Sequence, residues 1–354
     1  MNGNVKALSE LEQLLKDAPC SEFPQMLSSY AENTKNFFER YDLLRTHLGS
    51  KHDLVEVGAL LASAREGHPY ESLIHLNQHG KGHVALVMKH AAGLIGKFEE
   101  ALRLSGFELF LLLCAIQIHD IGNISGRKQH TTSFQNDFFS MASSCFITEP
   151  GLKELIFQIA RVHGGAIIGD KDTIDKLRDN TSLLNCRVRV QLLAAILRFA
   201  DELADDCTRS RELEDMPEAS KVFHAYSKSL HTVSIEQSVN ERTFFIQLCF
   251  FLSRADAERM YLANGSDITL LEEVFNRTVK MERERRYCYR FLVPAILLTM
   301  IKVEISIQFE NEVAPRVYEY TLKESGYPDT EVTIEKRNEI IKEVTQKGRV
   351  DCAN

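Results

Sequence analysis

The stretch Phe107–His130, FELFLLLCAIQIHDIGNISGRKQH, constrains this chain more than any other. It opens as an apolar run too continuous for a surface helix and well short of the roughly 20 residues a membrane crossing needs. Such a run predicts a helix buried on every side. It ends in His119-Asp120, an adjacent imidazole and carboxylate, followed by Gly122 and a short polar loop. A buried helix has little structural use for such a pair at its end. Held rigid side by side, the two suit a divalent metal of intermediate softness.

The surrounding pattern is helical. Apolar residues recur three and four apart over Lys6–Ala18, Ala31–Leu48 and Asp53–Arg65, and again over Gly82–Leu104. Thr131–Ser143, Leu152–His163 and Val188–Asp206 continue the pattern, while Gly164–Leu183 reads as loop with one exposed helix at most. Nothing before about residue 210 reads as a strand. The composition changes after Ser220. Thr232–Val239 alternates and Arg242–Leu252 is rich in aromatic and aliphatic residues, which together predict a hairpin. A charged helix over Thr269–Arg290, a strand at Lys302–Phe309, and a short strand with a closing helix after Lys323 complete a small α+β unit. The expected fold class is therefore mainly α, a helical bundle followed by a small α+β C-terminal unit. Its expected divisions are an N-terminal helical extension at 1–79, a core at 80–218 and the α+β unit at 219–354.

A length of 354 residues allows one large domain or two ordinary ones, and 44% hydrophobic with 26% charged residues is a globular composition. The net charge of -8 argues against broad nucleic-acid binding. The N-terminus lacks the apolar segment of a signal peptide, and the eight cysteines lie far apart without a CxxC pair. A cytoplasmic protein with no membrane association is the expectation.

Four further metal-ligand candidates lie at helix ends or loops: His83, His130, His163 and Asp201. His79 stands four residues before His83 and rivals it; His83 opens the apolar-periodic helix and is preferred. Asp201 follows the apolar LLAAILRFA directly, which sets it apart from Glu202, Asp205 and Asp206 beside it. His130 has a structural alternative as a cap on the helix beginning at Thr131-Thr132-Ser133. Lys81, Arg127, Lys128, Arg161, Arg198 and Arg209 lie within a few residues of a candidate ligand, where cations could hold non-reacting phosphates. The helix segment KMERERRYCYR, with Lys280, Arg283, Arg285, Arg286 and Arg290, offers a partner or phosphate surface, although its Glu residues fit an ordinary exposed helix better.

The order His83, His119-Asp120, His130, His163, Asp201 resembles the H…HD…H…H…D signature of the HD-domain superfamily of metal-dependent phosphohydrolases. The resemblance covers about residues 80–211, and IHDIGN and LRFADELADDCTR are its most specific strings. It implies an HD-type helical bundle in which His83, His119, Asp120 and Asp201 bind one divalent ion. Asp120, His130 and His163 would bind a second and form the catalytic group with it. Mn, Fe, Co, Ni, Zn and Mg all remain open. The implied activity is that of a phosphohydrolase or phosphodiesterase acting through a metal-activated water on a nucleotide or small phosphate ester. Two alternatives are an HD-type nuclease on single-stranded nucleic acid and a non-catalytic nucleotide-binding sensor. The α+β unit is expected to serve as a dimer interface, lid or regulatory module. HDIGNI lacks the Glu that follows the pair in alarmone hydrolases, and the HDxxH…H…E layout of the triphosphohydrolases is missing. Gly326-Tyr327-Pro328 resembles the GYP of cyclic-di-GMP phosphodiesterases but stands outside the helical region and is read as coincidence. The HGxxH start and the final RFADEL are more similar to bacterial HD proteins of stress and conflict systems.

Overall fold

A computed structural model describes residues 8–24, 35–65, 79–126, 130–164, 170–210, 213, 216–239, 241–263, 266–310, 312–324 and 332–350. These fall into two compact units, the first ending at Ala204 and the second beginning at Asp205. The Gly326-Tyr327-Pro328 triplet, Arg127 and Lys128 lie outside the described residues.

The first unit contains α1 (Glu10–Asp17), α2 (Phe37–His52), α3 (Val55–Arg65), α4 (Lys81–Ile95), α5 (Gly106–Ile118), α6 (Gln135–Ser144), α7 (Pro150–Arg161) and α8 (Val190–Leu203). Helix α5 is its axis. Ser105 caps it in a capping box with Glu108, and every residue from Gly106 to Ile118 is buried. Helices α1, α2, α7 and α8 pack around it. Gly106 is required for this packing, because a Cβ there would collide with the Phe23 ring and Ala18. Among the described residues, Gly106–Ser125 is the one helical stretch long and apolar enough to cross a membrane. It is instead a core element, 94% buried.

The start of α5 is tied to the start of α8. Glu108 accepts hydrogen bonds from the Arg189 backbone N–H, its Nε and its Nη2, at 3.0, 2.9 and 2.6 Å. The end of α5 is tied to α2. Gln117 donates from Nε2 to Tyr41 Oη at 3.0 Å, and Tyr41 donates on to Glu12 Oε1 at 2.8 Å. His52 donates from Nε2 to the Gln117 carbonyl at 2.8 Å. Beyond Ile118 the chain turns through a 3-10 segment, Ile121–Ser125, and leaves it at Gly126 with φ +107°.

An antiparallel hairpin corrects the expectation that this half of the chain is free of strands. Strands β1 (Asn180–Leu183) and β2 (Cys186–Arg189) pair within the region read as loop and as the start of the last apolar helix. The connecting residues Leu184 and Asn185 both have positive φ, 51° and 65°. A two-residue turn of this kind normally announces itself by Gly, and none is present.

The second unit holds α9 (Glu218–Ser229), β3 (Leu230–Gln237), β4 (Phe244–Ser253), α10 (Arg254–Glu258), β5 (Met260–Ala263), β6 (Ser266–Thr269), α11 (Leu270–Leu292), β7 (Leu298–Gln308), β8 (Arg316–Lys323) and α12 (Val332–Val350). The hairpin, the long helix and the following strand stand as the sequence pattern predicts. The order β3-β4-β7-β8 makes one mixed sheet, antiparallel at both edges and parallel between β4 and β7. Alternate residues Ile246, Leu248, Phe250 and Leu252 of β4 are buried, as are Ile301, Val303, Ile305 and Ile307 of β7. The basic segment of α11 is not an open surface throughout. Arg285 is 1% exposed, bonds Glu282 through Nε and Nη2, and donates to the Leu298 carbonyl.

Burial holds the His52 imidazole down to about 4, against the raising effect of its hydrogen bond to Gln117. The folded value lies below the unfolded one of about 6.5, so the stabilisation is complete above that pH and lost as pH falls towards 4. The gap corresponds to about 3 kcal/mol at most. Urea unfolding of the chelator-treated protein at pH 7 and pH 4.5 is expected to show a smaller acid loss for His52→Gln than for wild type. Equal losses in both would show that His52 has no part in it.

Candidate metal centre

Three helices of the first unit deliver their C-terminal ends to one place. His119 caps α5 and Asp120 follows it; Asp201 lies in the last turn of α8; His163 stands two residues beyond α7. His83 comes from the first turn of α4, and His130 from the turn before α6. His83, His119, Asp120 and Asp201 each offer a ligand atom within 4.8 Å of the others, and so do Asp120, His130 and His163. The two groups share Asp120.

The distances describe two faces of one carboxylate. Asp120 Oδ2 is 3.4 Å from His83 Nε2 and 3.5 Å from His119 Nε2, while Oδ1 is 3.5 Å from His163 Nε2. Asp201 Oδ1 lies 3.0 Å from His83 Nε2 and 3.7 Å from His119 Nε2. The His130 and His163 rings are 5.4 Å apart, centre to centre. His79 lies at the edge, its Nε2 3.8 Å from Asp120 Oδ2. It is His83 that joins the four-residue group. Helix α6 begins only at Gln135, so His130 does not cap it.

Local chemistry prepares these groups as ligands. The Nδ1 of His119 lies 2.8 Å from the Ile116 carbonyl, and that of His163 lies 2.6 Å from the Ala160 carbonyl. A carbonyl only accepts, so both rings carry a proton on Nδ1 and turn Nε2 inward. This is the support that metal-bound histidines usually receive. His83 and His119 then face each other, Nε2 to Nε2, at 3.3 Å. Two imidazole nitrogens and two carboxylates at this spacing call for positive charge among them, supplied by protons or by a metal, and the donor set of imidazole and carboxylate fits a divalent ion. Asn123 donates from Nδ2 to Asp120 Oδ1 at 2.9 Å and fixes the carboxylate plane. Gly122 lets the His130 backbone approach, since a Cβ there would strike the His130 carbonyl.

Charge in the cluster is strongly coupled. Burial opposes a protonated His119, but Asp120 and Asp201 outweigh it and raise the imidazole to about 9. Burial likewise opposes ionised Asp120 and Asp201, yet the surrounding imidazoles hold both carboxyls well below the usual carboxylate range. The folded cluster therefore favours carboxylates with positive charge between them.

Among the described residues, the cations expected to hold phosphates do not gather at this point. Lys81 is exposed and pairs with Asp53 at 2.6 Å. Arg198 is buried and donates to Thr173 Oγ1 at 2.9 Å. Arg209 belongs to the second unit and lies 3.8 Å from Asp205. Asp205 accepts from Ser227 and Arg277, and Asp206 caps the turn Cys207–Arg209, so neither is an open contact. Arg161 lines a cleft along α7. Asn123 and Gln117 were not singled out by pattern. The Asn of HDIGN, three residues after the Asp it orients, was the available signal for the first.

Residues 142–267 match a family model described as HD-CE. The chain carries an HD-type domain. The matched span includes His163 and Asp201 and continues into the second unit through β3, β4 and β5. No curated protein matches the chain. The domain and the His/Asp cluster together indicate an HD-type metal-dependent hydrolase.

Metal binding needs neutral imidazole, so protons compete with it. Mn(II) titrated into chelator-stripped protein is expected to release protons and to bind more tightly as pH rises towards 9, the value to which His119 is held. Calorimetry in buffers of different ionisation enthalpy reads both. Asn123→Ala is expected to weaken binding by about 10- to 100-fold, and Asp120→Ala to abolish it. Full metal content by elemental analysis in the Asp120→Ala protein would remove that carboxylate from the centre.

Proposed function

We propose that this chain is a metal-dependent phosphohydrolase acting on a nucleotide or another small phosphate ester, and that it holds two divalent ions. The observation that carries the reading is the shared carboxylate, with one Asp120 oxygen turned to each group of ligands. His83, His119 and Asp201 would complete one position, and His130 and His163 the other. Bound there, divalent ions would supply charge neutralisation for phosphate oxygens and a water of lowered pKa.

The chain's own contribution is positioning and proton control. Carbonyl-anchored rings keep His119 and His163 in one tautomer, so neither pivots when a substrate arrives. Asn123 keeps Asp120 from swinging towards either ligand group. Asp201, 25% exposed, leaves the cluster open on its side, where a phosphate ester could reach it. Phosphoryl transfer asks for little more than such positioning with charge stabilisation. The acidic balance of the whole chain, -8, favours a small substrate over a nucleic acid. The scattered free cysteines suit a reducing, cytoplasmic setting.

The test is product release from a panel of nucleotides, cyclic dinucleotides, simple phosphate esters and single-stranded oligonucleotides, with Mn, Ni, Co, Mg or chelator. Turnover on a small phosphate ester, lost with chelator and lost in Asp120→Ala, is the expected result. Turnover confined to oligonucleotides would replace this reading with the nuclease. Binding of nucleotides without any turnover, metal being present, would replace it with the sensor.

A further inference from the structure

Helix α7 turns one face away from α5 and towards the β1–β2 hairpin, and a cleft of about 490 Å³ lies between them. Gly151, Glu154, Leu155, Gln158 and Arg161 line it at intervals of three and four, a single stripe of the helix. The facing wall is formed by Lys176 and Arg178 and by Thr181, Ser182 and Leu183 of β1. All these residues belong to the first unit. Its volume is that of a small-molecule site, within the usual range of about 300–1,000 Å³.

The lining has a definite polarity. Three cations, Arg161, Lys176 and Arg178, meet one carboxylate, Glu154, on a chain whose overall balance is acidic. Glu154 already accepts a hydrogen bond from Gln158 Nε2 at 2.9 Å. Lys176 is paired with Asp170 at 2.8 Å. Arg161 and Arg178 make no hydrogen bond or ion pair with any described residue, so two guanidinium groups remain to receive an anion. The Thr181 hydroxyl, on the same face of β1 as Leu183, is a further donor, and Leu155, Leu177 and Leu183 supply an apolar floor. Two guanidinium groups and a hydroxyl donor lining one cleft suit phosphate, and an apolar floor accommodates a base.

We propose that this cleft is a binding site for a nucleoside polyphosphate, with Arg161 and Arg178 holding its phosphates. The site is distinct from the ligand cluster but shares a short segment with it. Arg161 lines the cleft, and His163, two residues on, belongs to the cluster. The proposal does not require turnover at the metal centre.

ATP titrated into the full chain, stripped of metal and kept in chelator at low salt, tests it. Saturable binding at one site per chain is expected, displaced by inorganic pyrophosphate and not by adenosine. Arg178→Ala and Arg161→Ala are each expected to weaken ATP by about 10-fold or more, as loss of a charge-assisted pair does. Arg178 is exposed, so Arg178→Ala should keep wild-type Mn(II) binding and melting behaviour. No saturable ATP binding, binding untouched by the double variant, or equal displacement by adenosine would overturn the proposal. So would a single-stranded oligonucleotide that displaces ATP with at least tenfold higher affinity. Asp120→Ala separates the two readings: it is expected to bind ATP in chelator as wild type does. If wild type binds ATP in this way yet turns over nothing with metal, the hydrolase reading fails and the cleft stands.

Discussion

An ionised carboxylate only 7% exposed is the constraint on which the first unit depends. Removing such a charge from water costs several kcal/mol unless positive charge and hydrogen bonds replace the solvent. Asp120 stands at the end of a helix buried along its whole length and cannot swing out to water. The surrounding side chains answer that demand. Asn123 donates to one oxygen, while His79, His83, His119 and His163 bring rings within 4 Å of one or the other. The buried chain Glu12–Tyr41–Gln117 and the His52 contact then keep the last turn of α5 where these groups can reach it. Purely structural use would be served as well by an apolar residue, which has no such cost.

Much of this was legible in the sequence because it rests on periodicity and on residue type. An apolar run without a polar face can only be a core helix, and α5 is one. Six separated candidate ligands converge because the helices that carry or flank them are fixed by apolar stripes that allow little choice of placement. The hairpin β1–β2 was not legible. Its strands read NTSL and CRVR, largely polar and only partly buried, so no alternation marks them. Its turn places Leu184 and Asn185 at positive φ without Gly. Tertiary contact with α7 and α8 overrides local preference there. Lys81, Arg198 and Arg209 turn elsewhere for a related reason: proximity in sequence to a candidate ligand does not fix direction. Arg198, three residues before Asp201, turns to Thr173 instead.

Helix α11 shows the same limit in the second unit. Arg285 and Glu282 are 1% exposed and bonded to each other, and Arg286 shares Glu282 while donating to the Lys323 carbonyl. A charged helical stretch reads as a solvated face because charges are seldom buried. Here three charges at spacings of three and four satisfy one another, and two of them donate to carbonyls at the start of β7 and the end of β8. Through Arg285 and Arg286 the segment joins helix to sheet, while Lys280, Arg283 and Arg290 are exposed.

Helix direction carries the electrostatic argument one step further. Glu108 and Arg189 clamp α5 and α8 near their starts, and the ligands lie eleven and twelve residues later. At about 1.5 Å per residue these arms differ by roughly one residue's rise, so two helices held together at one end present His119-Asp120 and Asp201 at the same level. Both helices, and α7 with them, then point C-termini at the cluster. Helix C-termini carry partial negative charge from unpaired carbonyls. Two of those carbonyls, of Ile116 and Ala160, are the ones that orient His119 and His163. Carboxylates and helix ends thus add to a field that draws cations in and repels a bare phosphate. A phosphorylated ligand can approach only where cations reverse that field, which are the ions themselves and guanidinium groups such as Arg161 on the far side of α7's last turn.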